Sequence, residues 1–189
     1  MNTIKDDMIN RAKAKIQREI SEIENRQDLT QAQKISQIIH IFSAICAGVA
    51  VQPIPFADIF LLTPIQAYMG VRLSAVMGQP LTERESADIM KEIAGVVGLG
   101  LLAQQLALGA YKTFLPFLGG LTTIPLVYGL TYAIGRVMEQ YLMARHKNQK
   151  LSPEQIKSLW TQFKREGEQR GKSAESTIKK EHSKGEQPK

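Results

Sequence analysis

Four charged residues stand alone in apolar stretches of this sequence: Asp58, Arg72, Lys112 and Arg136. An isolated charge in apolar surroundings is costly, so it is usually compensated by an opposite charge or by hydrogen bonds. We therefore predict that Asp58 pairs with Arg72 or Arg136 and ties its own segment to the rest of the fold. The alternative is that these side chains extend along the apolar surface and place their charges at an interface.

Three other patterns resemble sites without the context that a site requires. The carboxylates of Glu85, Asp88 and Glu92 share a helix face and could bind a metal or transfer protons, but no histidine accompanies them, which favours a solvated face. Residues 98–103 match a GxGxxA nucleotide pattern with no strand before it, and residues 171–173 resemble only the end of a phosphate loop. We predict no catalytic, cofactor-binding or metal site, and therefore not an enzyme.

The composition indicates one aliphatic, helix-rich domain with a basic end. Of the 189 residues 43% are hydrophobic, and the formal charge is +6. Residues 145–189 contain twelve bases and six acids, so this end suits an anionic surface. Cys46 is the single cysteine, which excludes an intramolecular disulfide. Charge from Lys5 onward argues against a secretion signal.

Two prolines, Pro53 and Pro55, interrupt the chain between apolar runs and prevent a helix from passing through. Around this break the apolar spacing and the capping patterns at Thr30, Thr63, Thr82 and Ser152 predict an all-α fold. The predicted helices are 3–27, 31–51, 64–77, 83–110, 120–145 with a bend at Pro125, and 153–166. The predicted domains are an amphipathic helix (1–30), an apolar core module (31–145), an amphipathic C-terminal helix (146–166) and a disordered basic tail (167–189).

The two terminal helices are amphipathic. The isoleucines of the first recur every seven residues, which is typical either of a helix packed on its own domain or of one that binds a membrane or a partner. The last helix has one apolar stripe, which we predict to dock a partner or a membrane surface: Ile156, Leu159, Trp160 and Phe163.

The most apolar part of the chain is 83–145, which we predict to form a helical hairpin that enters the bilayer. Residues 93–111 and 113–135 contain no charged side chain. Small residues four apart, such as Gly129 and Ala133, allow helices to approach closely. Both termini would then face the cytoplasm, from a bacterial cytoplasmic or other internal membrane. A mean hydropathy of −0.17 keeps a soluble bundle open as the alternative.

Several segments together resemble a bacterial helical domain of unknown function. In order they are Gln52-Pro53-Ile54-Pro55-Phe56-Ala57-Asp58, Leu61-Leu62-Thr63-Pro64-Ile65-Gln66, Lys112 followed by Leu115-Pro116-Phe117-Leu118-Gly119, and Thr131-Tyr132-Ala133-Ile134-Gly135-Arg136. Domains of this kind follow Era-like GTPase domains and occur in YcjF-type membrane proteins. The resemblance covers residues 35–145 and implies a membrane-associated helical module that works with a GTPase, without established catalytic residues.

These observations predict a non-enzymatic, membrane-associated helical adaptor or scaffold. Its partners would be a lipid bilayer and a GTPase on another chain, because the 34 residues before the module are too few for a GTPase domain. A second copy of the chain also stays open as a partner, whereas nucleic acid is disfavoured because the basic tail lacks interleaved aromatics. The alternative function is a soluble bundle that binds an apolar ligand or a protein partner.

Overall fold

The computed structural model describes residues 2–51, 62–98 and 124–185, with side chains from 9 to 180 within those ranges. The described residues form helices and no strands, which confirms the all-α prediction for this part of the chain. The helices are α1 (Asn2–Asn25), α2 (Gln31–Ala50), α3 (Thr63–Val76), α4 (Glu83–Val97), α5 (Ile124–His146) and α6 (Pro153–Gly185).

Short connections join α1 to α2, α3 to α4 and α5 to α6, and all three lie at one end of the bundle. Arg72 near the end of α3 binds Glu24 near the end of α1, and Gln79 after α3 donates to the carbonyl of Leu142 near the end of α5. We call this the capped end. The opposite end, which we call the open end, contains the last residues of α2 and α4 and the first residues of α3 and α5. Residues 52–61 and 99–123 therefore both connect helices at the open end.

Side-chain caps begin three of the helices at the capped end, as predicted. Thr30, Thr82 and Ser152 each accept a hydrogen bond from the backbone N–H three residues later. In each case the glutamine or glutamate at that later position accepts a hydrogen bond from the backbone N–H of the capping residue. These reciprocal bonds satisfy N–H groups that a helix start otherwise leaves unpaired.

The capping pattern predicted at Thr63 is wrong, because α3 begins one residue earlier than a threonine cap requires. Leu62 occupies the cap position and makes no side-chain cap bond, while Thr63 is the first helical residue and Pro64 follows it. Gln66, predicted to close the box, is instead buried, and its amide donates to the Thr131 hydroxyl of α5 over 3.1 Å. A buried polar group needs such a partner, and α5 supplies it.

The predicted helical hairpin of 83–145 differs from the structure at the end of its first helix. α4 ends at Val97 rather than at 110, because Gly98 has φ +88°, a conformation that favours glycine and ends a right-handed helix. α5 is described from Ile124 to His146, so the predicted start of this helix at residue 120 lies outside the described residues. The predicted turn at 111–119 lies outside the described residues.

Helix α5 is the centre of the bundle. It contacts α2, α3, α4 and α6, and residues 127–135 and 137–139 are all buried. Nine consecutive buried residues at 3.6 per turn cover every face, so other helices surround α5. No helix within 2–51, 62–98 or 124–185 has both the length and the apolar character needed to cross a membrane.

Helix α6 continues to Gly185, which corrects the prediction of a tail disordered from residue 167. Its buried residues fall four and seven positions apart, on one side of the helix: Ile156, Trp160, Gly167, Gly171 and Ile178. The apolar stripe thus continues through two glycines to the last aliphatic residue. Side chains of α5 fill the space above those glycines, so the polar composition of 167–185 does not prevent packing.

A close approach of two helix backbones joins Gly167 of α6 to Gly129 of α5. A Cβ atom on Gly167 would lie 2.7 Å from the Cβ of Tyr132 and 2.9 Å from the Cα of Gly129. Carbon atoms in contact are normally about 3.5–4.0 Å apart, so neither position can hold a larger residue unless the helices move apart. This contact is of the small-residue kind that the Gly129/Ala133 spacing predicts, although its partner helix, α6, was not predicted.

We expect Gly167→Ala to lower the free energy of unfolding by about 1–3 kcal/mol, because an added methyl group would overpack two backbones. Gly95→Ala is the matched control, since a Cβ there meets nothing within 4 Å on an exposed face of α4. That control should raise stability by about 0.5–1 kcal/mol through its effect on helix propensity. Urea unfolding followed by circular dichroism measures both. Equal stabilisation by the two variants would contradict the close α5–α6 contact.

Candidate functional site

The residues singled out in the sequence fall into two groups. Pro53, Pro55, Asp58 and Lys112 lie outside the described residues, so the proposed pairing of Asp58 stays a prediction. Arg72 lies on α3 and Arg136 on α5, and each binds a carboxylate of another residue.

Arg72 joins α3 to α1. Its Nε donates to Oε1 of Glu24 over 2.9 Å, and its Nη2 donates to the other carboxylate oxygen, so both branches of the guanidinium are used. The side chains are 21% and 20% exposed. The Arg72 guanidinium also lies 6.0 Å from the ring centre of Tyr68. A two-pronged contact fixes the angle between two helices better than a single bond does.

A cleft of about 400 Å³ lies beside this ion pair at the capped end. Its lining residues are Glu24, Leu29, Gln31, Lys34, Ala75 and Val76. The polar side chains here already have protein partners, because Lys34 donates to the carbonyl of Glu24 and Gln31 to that of Val76. The cleft therefore lies between helices whose polar side chains bind one another across it.

Arg136 is the centre of a second polar network, between α2, α5 and α6. Its guanidinium donates to the Tyr132 hydroxyl over 3.1 Å, to Glu139 over 2.9 Å and to Ser36 over 3.0 Å. Burial opposes the charge on Arg136, but the hydrogen bonds to Glu139 and Tyr132 outweigh it, so the pKa of Arg136 is raised.

The network continues from Tyr132 to α6. The Tyr132 hydroxyl donates to Oε1 of Glu166 over 2.7 Å, and two nitrogens of Arg170 donate to the same oxygen over 3.0 and 2.8 Å. Both guanidiniums lie near the Tyr132 ring, with Cζ–centroid distances of 5.3 Å for Arg136 and 5.6 Å for Arg170. Burial would raise the pKa of Glu166, but the hydrogen bonds from Tyr132 and Arg170 lower it overall.

His40 of α2 completes the network. Its Nδ1 lies 2.6 Å from the Tyr128 hydroxyl, and its Nε2 lies 3.5 Å from Nη1 of Arg170. An arginine only donates, so Nε2 accepts and the hydrogen of the neutral ring lies on Nδ1. Burial first, and then the charges of Arg170 and Arg136, lower the pKa of His40. Burial likewise raises the pKa of Tyr128 to about 12. Both groups are neutral near pH 7.

This network joins three helices by charge and hydrogen bonding. Within the described ranges, no group of three histidine, cysteine or carboxylate side chains could hold a metal ion. The carboxylates on α4 also have other roles: Glu85 caps its helix, Asp88 accepts a hydrogen bond from Lys91, and Glu92 accepts one from Tyr141. These contacts favour the interpretation of that face as solvated.

The apolar stripe predicted to dock a partner faces the chain's own core. Ile156 and Trp160 are buried, with 2% and 7% of their surface exposed, and Leu159 and Phe163 are half-buried against the same core. Ile156 and Trp160 therefore cannot form a docking surface while α6 is packed. In the same way Ala12, Ile16 and Ile20 of α1 are buried, which favours the interpretation that α1 packs on its own domain.

Four charged partners in these networks were not predicted: Glu24, Glu139, Glu166 and Arg170. Glu139 is three residues after Arg136, and Arg170 is four after Glu166, so helical spacing could have indicated both pairs. Glu24 and Arg72 are 48 residues apart, so no spacing within one helix could have indicated this pair.

The described residues form an all-α bundle with a buried central helix. Their polar clusters join these helices to one another. Comparison with known families then identifies the chain. A family model described as a domain of unknown function (DUF697) matches residues 11–164, so the chain belongs to this family. No curated protein and no solved structure matches it.

The His40 network predicts that stability falls in mild acid. The folded protein binds the His40 proton more weakly than the unfolded chain, whose histidine has a pKa of about 6.5. The free energy of unfolding should therefore be constant above this pH and decrease as the pH falls through it, by at most about 1.4 kcal/mol per pH unit. Denaturant unfolding from pH 7.5 to 5 measures this.

His40→Gln should remove this decrease, because glutamine does not titrate. His146→Gln is the matched control: His146 is exposed at the end of α5, and its loss should leave the decrease in place. A His40→Gln protein with the same pH dependence as the wild type would show that another group is responsible.

Proposed function

We propose that this protein is a non-enzymatic helical adaptor that contacts a membrane at its open end and serves a GTPase carried on another chain. The described helices form the folded body, and the membrane contact belongs to the apolar sequence between α4 and α5. The observation that carries this proposal is the combination of a fully surrounded α5 with a neighbouring long, nearly uncharged segment.

That segment is residues 99–123, in which Lys112 is the single charged residue. Its leucines, alanines and glycines give it the composition of a sequence that prefers lipid or a protein interior to water. The described helices bury a contiguous apolar core around α5. Because α5 is buried, we assign the proposed membrane contact to this segment and not to the whole predicted hairpin of 83–145. Because 99–123 joins helices at the open end, that end would face the membrane.

The adaptor role is supported by what the polar side chains do. The Arg72 and Arg136 networks hold helices together, and the described carboxylates of α4 have capping or hydrogen-bonding partners. Such groups give a rigid body with a defined surface, which is what an adaptor requires. The GTPase partner rests on the resemblance to domains that follow Era-like GTPases. Its test is retention of a separately expressed Era-like GTPase by vesicle-bound protein in the presence of GTP, and a GTPase that stays in solution would remove this part.

Flotation with vesicles tests the membrane contact. Full-length protein should float with phosphatidylcholine vesicles, whereas a variant with 99–123 replaced by a Gly/Ser linker of equal length should stay in the dense fraction. Circular dichroism and thermal unfolding of the variant check that the bundle survives.

If the full-length protein fails to float, the proposal is wrong. The alternative, a soluble bundle that binds a protein partner, then becomes the better account. A linker variant that floats as well as the wild type would assign the membrane contact to another part of the chain.

A further inference from the structure

The two halves of α6 differ in how much apolar surface they bury. The apolar residues that the first half packs against the core are Ile156, Leu159, Trp160 and Phe163. Between 170 and 180, Ile178 is buried and Ala174 is half-buried, and the buried Gly171 has no side chain. Because burial of apolar surface is the dominant favourable term in packing, the second half should separate from the bundle at a lower free-energy cost than the first.

The packing contacts of this second half use glycines. A Cβ on Gly171 would lie 2.9 Å from the Cα of Pro125 and from the Cβ of Tyr128, and a Cβ on Gly48 would lie 3.9 Å from Ile178. Such contacts fit closely in shape but bury little side-chain surface. A larger share of the attachment must therefore come from polar contacts, and Arg170 makes them.

Arg170 is held in one orientation. Its Nε and Nη2 donate to Oε1 of Glu166 over 3.0 and 2.8 Å, and the Tyr132 hydroxyl donates to the same oxygen over 2.7 Å. The remaining nitrogen, Nη1, lies 3.5 Å from Nε2 of His40. Arg170 cannot turn this nitrogen away from His40 without breaking its bonds to Glu166.

His40 therefore faces a positive charge that is fixed in place. The titratable and charged groups that face it are Tyr128, Tyr132 and Arg136 from α5, and Glu166 and Arg170 from α6. The neutral ring donates from Nδ1 to Tyr128 and accepts at Nε2 from Arg170. A proton on Nε2 would turn that contact into two N–H groups and two positive charges that face each other.

We propose that residues 170–180 of α6, which we call the α6 strap, are released from α2 and α5 when His40 takes up a proton, while residues 153–167 stay packed. The contact of Gly167 with Gly129 lies before the strap and holds the first half in place. Release uncovers the surfaces of α2 and α5 that the strap contacts, so mild acid changes the surface that the bundle presents. This inference does not depend on the proposed membrane contact.

The sign of the pH dependence follows from the groups around His40. Burial, Arg170 and Arg136 lower the pKa of His40 in the docked form, and Glu166 opposes them. Release takes Arg170 away and leaves Glu166 with Tyr132, so the released form binds the proton more tightly. Docking is thus fully favoured above the usual histidine pKa of about 6.5 and weakens as the pH falls below it. The pKa of Glu166 is lowered from its usual 4.5, so its contribution is kept down to that pH.

Hydrogen exchange of the full-length protein at pH 7.5 and 5.5 tests the inference, with rates corrected for the direct effect of pH on exchange. The protection of 170–178 should fall by up to about tenfold between these pH values. A series of urea concentrations below the unfolding transition shows how much surface each opening exposes. The opening of 170–178 at pH 5.5 should depend little on urea, whereas the opening of 156–163 should depend on it strongly.

The chain contains three histidines, so substitutions identify the one responsible. His40→Gln should hold the protection of 170–178 constant between the two pH values, because the amide can replace both hydrogen bonds of the ring without titrating. His146→Gln and His182→Gln are the matched controls, and both should keep the fall that the wild type shows.

Three results would overturn the inference. Constant protection of 170–178 in the wild type would show that the α6 strap stays docked in acid. Equal urea dependence of 170–178 and 156–163 would show that the strap leaves only when the whole bundle unfolds. A His40→Gln protein that keeps the fall in protection, or a His182→Gln protein that loses it, would assign the titration to another group.

Discussion

The backbones of α5 and α6 touch at Gly129 and Gly167, and the arrangement of the other helices depends on this contact. With α6 this close, α5 has protein on every side, and α2 and α3 complete its surroundings. Gly135 of α5 allows another close approach, because a Cβ there would lie 2.9 Å from Ile39. The helices thus pack closely for two reasons: glycines lie where the helices cross, and aliphatic residues fill the space between these crossings.

The two ends of the bundle differ in a way that follows from this packing. At the capped end, short connections with reciprocal side-chain caps join the helices in pairs. The sequences that join helices from the open end, 52–61 and 99–123, are longer and more apolar. The His40–Arg170 network binds α6 to α2 and α5 between the two ends, so a charge placed on His40 would act on the part of α6 that leads to the open end.

Local signals predicted the caps at Thr30, Thr82 and Ser152 and the bounds of α2 closely, since a threonine or serine followed three residues later by glutamine or glutamate acts within one turn of chain. The end of α4 could not be predicted, because 93–111 is equally apolar whether or not a helix passes through Gly98. The length of α6 could not be predicted either. Glycines such as Gly167 and Gly171 normally indicate a flexible chain, and the sequence does not show that Gly129 and Tyr132 of α5 pack against Gly167. The pairing of Arg72 with Glu24 could not be predicted either, because the two residues are distant in sequence. The pairing of Arg136 with Glu139 could have been predicted, because a spacing of three places both on one helix face.

Amide hydrogen exchange across α6 tests the central claim most directly, because the packing of α5 depends on α6 being a continuous helix. The account predicts that the amides of residues 167–178 exchange slowly, with protection similar to that of 156–163 in the same helix and of 127–139 in α5. Exchange of 167–178 at the rate of an unfolded chain, with 156–163 still protected, would contradict it. That result would restore a disordered tail and leave one side of α5 uncovered.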